Sequence, residues 1–140
     1  MVRKKDLNEK DTGARRLTDL ELFVMNVIWD RIPHGGECTV REIVEGLPSG
    51  RGLAYTTIAT VMKILEQKGV LLSHKAERTH TYSVLTARSE YEVTSLQQVT
   101  EEVFRGDTGL VVKRLLDDGD LSRAELSEIR KLLDERMRGK

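Results

Sequence analysis

The segment Leu53–Gly69, LAYTTIATVMKILEQKG, sets hydroxyls, a small side chain and a cation at helical spacing. Projected at about 100° per residue, Thr56, Ala59, Thr60, Lys63 and Gln67 fall on one face. Ile58, Val61, Met62 and Leu65 fall on the other, with Thr57 and Ile64 at the boundary. A helix that enters the major groove of double-stranded DNA needs short or bidentate polar side chains near its N-terminal half. Thr56 and Thr60 offer hydroxyls to base edges and methyls to thymine. Lys63 can reach a guanine or a phosphate. Tyr55 and Thr57 sit where a helix N-terminus offers donors to phosphate. A solvated amphipathic helix has the same pattern, so the projection by itself leaves both readings open.

Such a helix has to be held by others. Thr18 and Glu21 have the spacing of a capping box, with Leu17 and Leu22 as the flanking apolar pair. Leu20, Phe23, Val24, Val27 and Ile28 then recur at helical spacing, and Pro33, Gly35 and Gly36 end the run. Thr39 and Glu42 make a second capping box ahead of Val40, Ile43, Val44 and Leu47. Pro48, Ser49, Gly50 and Gly52 form a short loop into the helix expected from Tyr55 to Lys68, and Gly69 stands at its C′ position. Two short strands follow, Val70–Lys75 and Arg78–Leu85, around the turn Ala76-Glu77. Lys75, Arg78 and His80 gather near that tip, where a hairpin can meet a phosphate backbone; an ordinary charged turn has the same composition. Three helices and a hairpin are the order of a winged helix-turn-helix.

Beyond Leu85 the pattern is helical. A helix over about Ala87–Phe104 carries Leu96, Val99 and Val103 on its apolar side, and Gly106 interrupts it. Leu110, Val111, Leu115 and Leu116 mark a short second helix, and Asp117-Asp118-Gly119-Asp120 reads as a turn. Ser122 and Glu125 form a third capping box, before Leu126, Ile129, Leu133 and Met137. These anchors exceed what one short helix pair can bury, which points to a dimerisation arm; packing onto the first domain is the alternative. The expected organisation is a tail over 1–16, a winged domain over 17–85 and a helical dimerisation domain over 86–140. The fold class is mainly α with a small β-hairpin.

The 140 residues carry 23 Lys and Arg against 23 Asp and Glu, so net charge neither argues for nucleic acid nor excludes a local basic face. Cations outnumber anions between Ser49 and Leu85, with His74 and His80 in addition. The tail cations Arg3, Lys4, Lys5, Arg15 and Arg16 could touch DNA backbone, although a solvated tail is the simpler expectation. One cysteine, Cys38, and no CxxC pair give no zinc or disulfide framework. His34 and Cys38 are split by Gly35-Gly36, and the aspartate run lacks calcium-loop spacing. No cofactor and no enzyme activity are therefore expected. With no apolar run of membrane-span length and no apolar leader, a cytoplasmic protein without membrane insertion is expected.

The whole string resembles the penicillinase-repressor (BlaI/MecI type) transcriptional regulators. The resemblance rests on LTDLELFVMNVIWD at 17–30, TVREIVEGL at 39–47, LAYTTIATVMKILEQKGVL at 53–71, THTYSV at 79–84 and FRGDTGLVVKRLLDDGDLSRAELSEIRKLL at 104–133. It implies a homodimeric repressor of resistance or stress genes, bound to an inverted-repeat operator with a TACA/TGTA-like core. It carries DNA contacts onto Thr56, Thr57, Ala59, Thr60 and Lys63; Ala59 departs from members with a long basic residue there. It raises a membrane sensor-protease as a partner, but Arg114-Leu115 occupies the place of the cleaved Asn-Phe bond, which counts against proteolytic derepression. The cysteine cluster of copper-responsive relatives is missing. A winged-helix module that binds protein instead of DNA is the competing expectation.

Overall fold

The computed structural model describes residues 16–33, 35–48 and 53–139. The tail ahead of Arg16, His34 and the loop residues Ser49, Gly50 and Gly52 lie outside them. The chain divides into two compact units, one running to Leu96 and the other from Gln97.

The first unit begins with α1, Asp19–Arg31. Thr18 Oγ1 accepts the Glu21 N–H at 3.3 Å, and Glu21 Oε1 accepts the Thr18 N–H at 3.0 Å, so the expected capping box is closed in both directions. After β1, Glu37–Cys38, the box at Thr39 and Glu42 opens α2, Val40–Glu45. Helix α3 runs Tyr55–Gln67. It ends in a Schellman motif: the Gly69 N–H reaches Glu66 O at 3.0 Å and the Val70 N–H reaches Leu65 O at 3.0 Å. Gly69 has φ +82°, the left-handed conformation that a side chain would strain.

Strands β2, Leu71–Lys75, and β3, His80–Val84, pair antiparallel with Lys75 opposite His80. The hairpin tip is therefore the four residues Ala76–Thr79, closed by Ala76 N–H to Thr79 O at 2.8 Å. This corrects the expected two-residue turn and moves Arg78 out of the strand. The sheet also has a third strand: β1 pairs with β3, giving the order β1-β3-β2. Pairing puts Cys38, Ser73, Tyr82 and Val84 on the core side and Glu37, Leu72, His74 and Ser83 on the other. The core joins Val24, Met25 and Ile28 of α1, Ile43 of α2, Ile58, Met62 and Leu65 of α3, and Leu71 and Tyr82 of the sheet.

Helix α4, Arg88–Glu102, passes from the first unit into the second. The second unit holds α5, Thr108–Asp118, and α6, Arg123–Gly139. Arg105 and Gly106, at φ +53° and +83°, turn the chain after α4. Asp107 caps α5 by accepting the Leu110 N–H at 3.1 Å. Asp117 and Asp118 lie inside α5, so the four residues 119–122 connect α5 to α6, correcting the turn expected from the aspartates. The box at Ser122 and Glu125 is closed in both directions, at 3.0 and 2.8 Å. Among the described residues of this unit, Thr100 and Val111 are the buried side chains. No helix of the described residues is long and apolar enough to cross a membrane.

Candidate nucleic-acid interface

Helix α3 presents two unlike faces. Ile58, Val61, Met62 and Leu65 are buried, whereas Tyr55, Thr56, Thr60, Lys63 and Gln67 are exposed. Thr57 is half-buried at the edge. Ala59 is also half-buried and packs against the core, which sets it apart from the polar row it was grouped with. The Thr60 hydroxyl donates to Thr56 O at 3.0 Å. Its proton is committed to the helix, so Thr60 presents a methyl and acceptor lone pairs outward.

The start of α3 differs from the starts of α1, α2, α5 and α6, each of which has a side-chain cap. Its N-cap is Ala54, which brings no acceptor. The first-turn N–H groups of α3 thus lack the partner that Thr, Asp or Ser supplies elsewhere, and they carry the positive end of the helix dipole. Arg41, at the start of α2, holds its guanidinium 6.0 Å from the centre of the Tyr55 ring. Arg41 is exposed and was not singled out in the sequence, because nothing local links position 41 to position 55. An exposed guanidinium near the Tyr55 ring, on a helix start whose N–H groups have no side-chain cap, has the chemistry that an anion such as phosphate would need.

The other end of α3 is anchored. Lys68 Nζ lies 2.6 Å from Glu21 Oε1 and donates to Arg16 O at 2.9 Å. Burial pushes the Glu21 carboxyl up, but Lys68 and the Thr18 N–H and hydroxyl outweigh it and hold the carboxyl below its usual value. This link, across 47 residues, ties α3 to the capping box of α1.

At the hairpin, Lys75 and Arg78 are exposed. His80 is half-buried: its ring lies 4.7 Å from that of Tyr82, and its Nε2 is 3.3 Å from Ser73 Oγ. His74 Nε2 is 3.1 Å from Ser83 Oγ on the opposite face of the sheet, so the two histidines do not converge. Cys38 is buried; burial, then Glu42, pushes its thiol up to about 11. A thiol so placed is a poor nucleophile at neutral pH.

The expected dimerisation residues sit on α4, α5 and α6. Leu96, Val99, Val103, Leu115, Leu126 and Leu133 are exposed, and Leu110 and Ile129 are half-buried.

Three helices, an exposed polar face on the third and a three-stranded sheet ending in a hairpin define a winged helix-turn-helix protein with appended helices. The family model described as penicillinase repressor matches residues 17–135, and the chain belongs to that family. It is 40% identical over 75 residues to "Transcriptional regulator BlaI" of Mycobacterium tuberculosis, covering 54% of this chain and 52% of that protein. The match thus spans about half the length of the mycobacterial relative. It is 27% identical over 120 residues to "Penicillinase repressor" of Bacillus licheniformis, covering 86% and 91% of the two chains. Against "Methicillin resistance regulatory protein MecI" of Staphylococcus aureus it is 23% identical over 126 residues, covering 90% and 99%.

Proposed function

We propose that this chain is a homodimeric transcriptional repressor that binds an inverted-repeat operator in double-stranded DNA. Residues 17–85 read the DNA, with α3 in the major groove and the β2–β3 hairpin on the backbone. Residues 86–140 dimerise. Tyr55, Thr56, Thr57, Thr60 and Lys63 supply the contacts from α3, and Lys75 and Arg78 those from the wing. Half-buried Ala59 and His80 support these positions from behind. The regulated genes belong to antibiotic resistance or stress; the relatives' names, which speak of penicillinase and of methicillin resistance, support the first of these.

The observation that carries this reading is the uncapped, exposed N-terminal half of α3 on a buried back. A helix that only packs gains by a cap of about 1 kcal/mol; one that docks on phosphate gains by leaving its N–H groups open. Two copies about 34 Å apart reach successive major grooves, and each good base contact is worth about 1–3 kcal/mol. One half-site with few contacts binds weakly, so the dimer is part of the function. Arg114-Leu115 lies within α5, in the place of the Asn-Phe bond that a membrane sensor-protease would cut, so derepression of this chain does not run through that cleavage.

The test is binding to sites selected from random DNA, followed by titration across salt concentrations. Wild-type affinity should fall steeply with salt, and Lys63→Ala should weaken it at least tenfold with an unchanged thermal midpoint. Salt-independent or absent binding favours the protein-interaction module. Full-strength binding by Lys63→Ala removes α3 from the role given to it.

A further inference from the structure

The passage from β3 into α4 is fastened at nearly every polar atom. The Leu85 and Thr86 N–H groups reach Val70 O at 2.8 and 3.2 Å. The Thr86 hydroxyl donates to Gly69 O at 3.1 Å, and Thr86 O accepts the Trp29 Nε1–H at 3.0 Å. Ala87 N–H then reaches Glu90 Oε1 at 3.2 Å. A connection so bonded has no slack.

The first turns of α4 are fastened as well, to α1 and to Leu17 just ahead of it. Arg88 Nη2 donates to Asp30 Oδ1 at 2.8 Å and lies 3.3 Å from Asn26 O and Oδ1. Its guanidinium stands 5.4 Å from the centre of the Trp29 ring. Tyr91 packs its ring 5.7 Å from that of Trp29, and its hydroxyl accepts the Leu17 N–H at 3.2 Å. Arg88 and Asp30 are substantially exposed, at 39% and 64%. Exposed ion pairs add little stability, so the cluster is better understood through the direction it imposes on α4.

We propose that Arg88 and Tyr91, seated on Asp30, Asn26 and Trp29, are positioning residues that fix the angle at which α4 leaves the winged domain and so select the operator's half-site spacing. The inference rests on the dimeric reading above. A dimer that reads two major grooves discriminates spacing only when each reading helix is rigidly tied to the arm that joins the copies. A loosened latch leaves α3 and the dimer contacts intact and lets several spacings bind.

The test has two arms. Nitroxides on Lys75→Cys and Gln97→Cys, diluted with unlabelled chain, report the intrachain distance; buried Cys38 stays unlabelled. Wild type should give one narrow distribution, and Arg88→Ala with Tyr91→Phe should broaden it at least twofold with circular dichroism unchanged. Across an operator series, wild-type affinity should drop at least tenfold when the spacer changes by two base pairs, and the variant's less than threefold. If that variant does not fold, Asp30→Asn with Tyr91→Phe, which keeps every ring, takes its place. An unchanged distribution, or an unchanged spacing preference, overturns the proposal. A broadened distribution in a protein that binds no DNA instead overturns the repressor reading and leaves the latch standing.

Discussion

Helices α3 and α6 carry the same kind of apolar stripe and meet opposite fates. In α3, Ile58, Met62 and Leu65 are 0% exposed; in α6, Leu133 and Met137 are 57% and 76% exposed. The first stripe is covered by α1, α2 and the sheet of its own chain. The second has no such cover among the described residues, and α5 leaves Leu115 and Leu116 exposed too. Periodicity finds the face to be buried, but it says nothing about whether the same chain does the burying. Exposed apolar side chains at helical spacing are what a partner would cover, and the dimer proposed above would cover them by a two-fold, self-complementary contact.

The sharpest way to break the comparison is to truncate one leucine in each stripe. Leu65→Ala should cost about 2–5 kcal/mol of unfolding free energy, since it opens a cavity in a closed core. Leu133→Ala should shift the dimer dissociation constant in sedimentation equilibrium. At dilutions where the chain is monomeric, it should change stability by less than about 0.5 kcal/mol. Equal destabilisation by the two at high dilution would mean that α6 is covered by its own chain and that the dimer reading is wrong.

A smaller effect separates the units by pH. Glu21 ionises more readily in the folded chain than in the unfolded one, so its contribution is full above the ordinary value of 4.5 and is lost as pH falls through the lower folded value. Below that window the contribution vanishes. Lys68→Met removes the largest influence that lowers Glu21 and leaves burial to raise it. The variant should lose about 1–3 kcal/mol at pH 7 and flatten the acid limb of the stability curve for the winged unit. Melting of α5 and α6 should keep its wild-type pH dependence. A wild-type acid limb in Lys68→Met would show that the ion pair does not anchor α3.

What could be read from the sequence was what is local. The boxes at Thr18, Thr39 and Ser122 and the left-handed Gly69 are specified within four residues of themselves, and all four stand as expected. The two faces of α3 followed from its period, apart from Ala59, whose methyl is small enough to pack at the core's edge. Strand β1 was missed because two residues carry no period and pair with β3 some 45 positions away. The hairpin tip was misjudged because Ala76–Thr79 contains neither Gly nor Asn to mark its turn. Arg41 beside Tyr55, and Lys68 on Glu21, are products of tertiary packing. The candidate interface was therefore legible as a helix face and illegible in its flanking cation and its anchor.

The capping boxes give the finest contrast, because the chemistry is the same in both units and only the surroundings differ. Thr18→Ala removes a cap whose glutamate is also held by Lys68 within the packed unit. It should lower global stability by about 1 kcal/mol, visible as a uniform loss of amide protection through α1 and α3. Ser122→Ala removes the equivalent cap from α6. There the Ser122 N–H and hydroxyl hold the fully exposed Glu125 carboxyl below its usual value, with no ion pair to it among the described residues. Its loss should fray the first turn of α6 alone, speeding exchange at Glu125 and Leu126 and leaving the unfolding midpoint of the winged unit where it was. A midpoint that fell as far as it does in Thr18→Ala would mean that the two units unfold as one, and that α5 and α6 are coupled to the core.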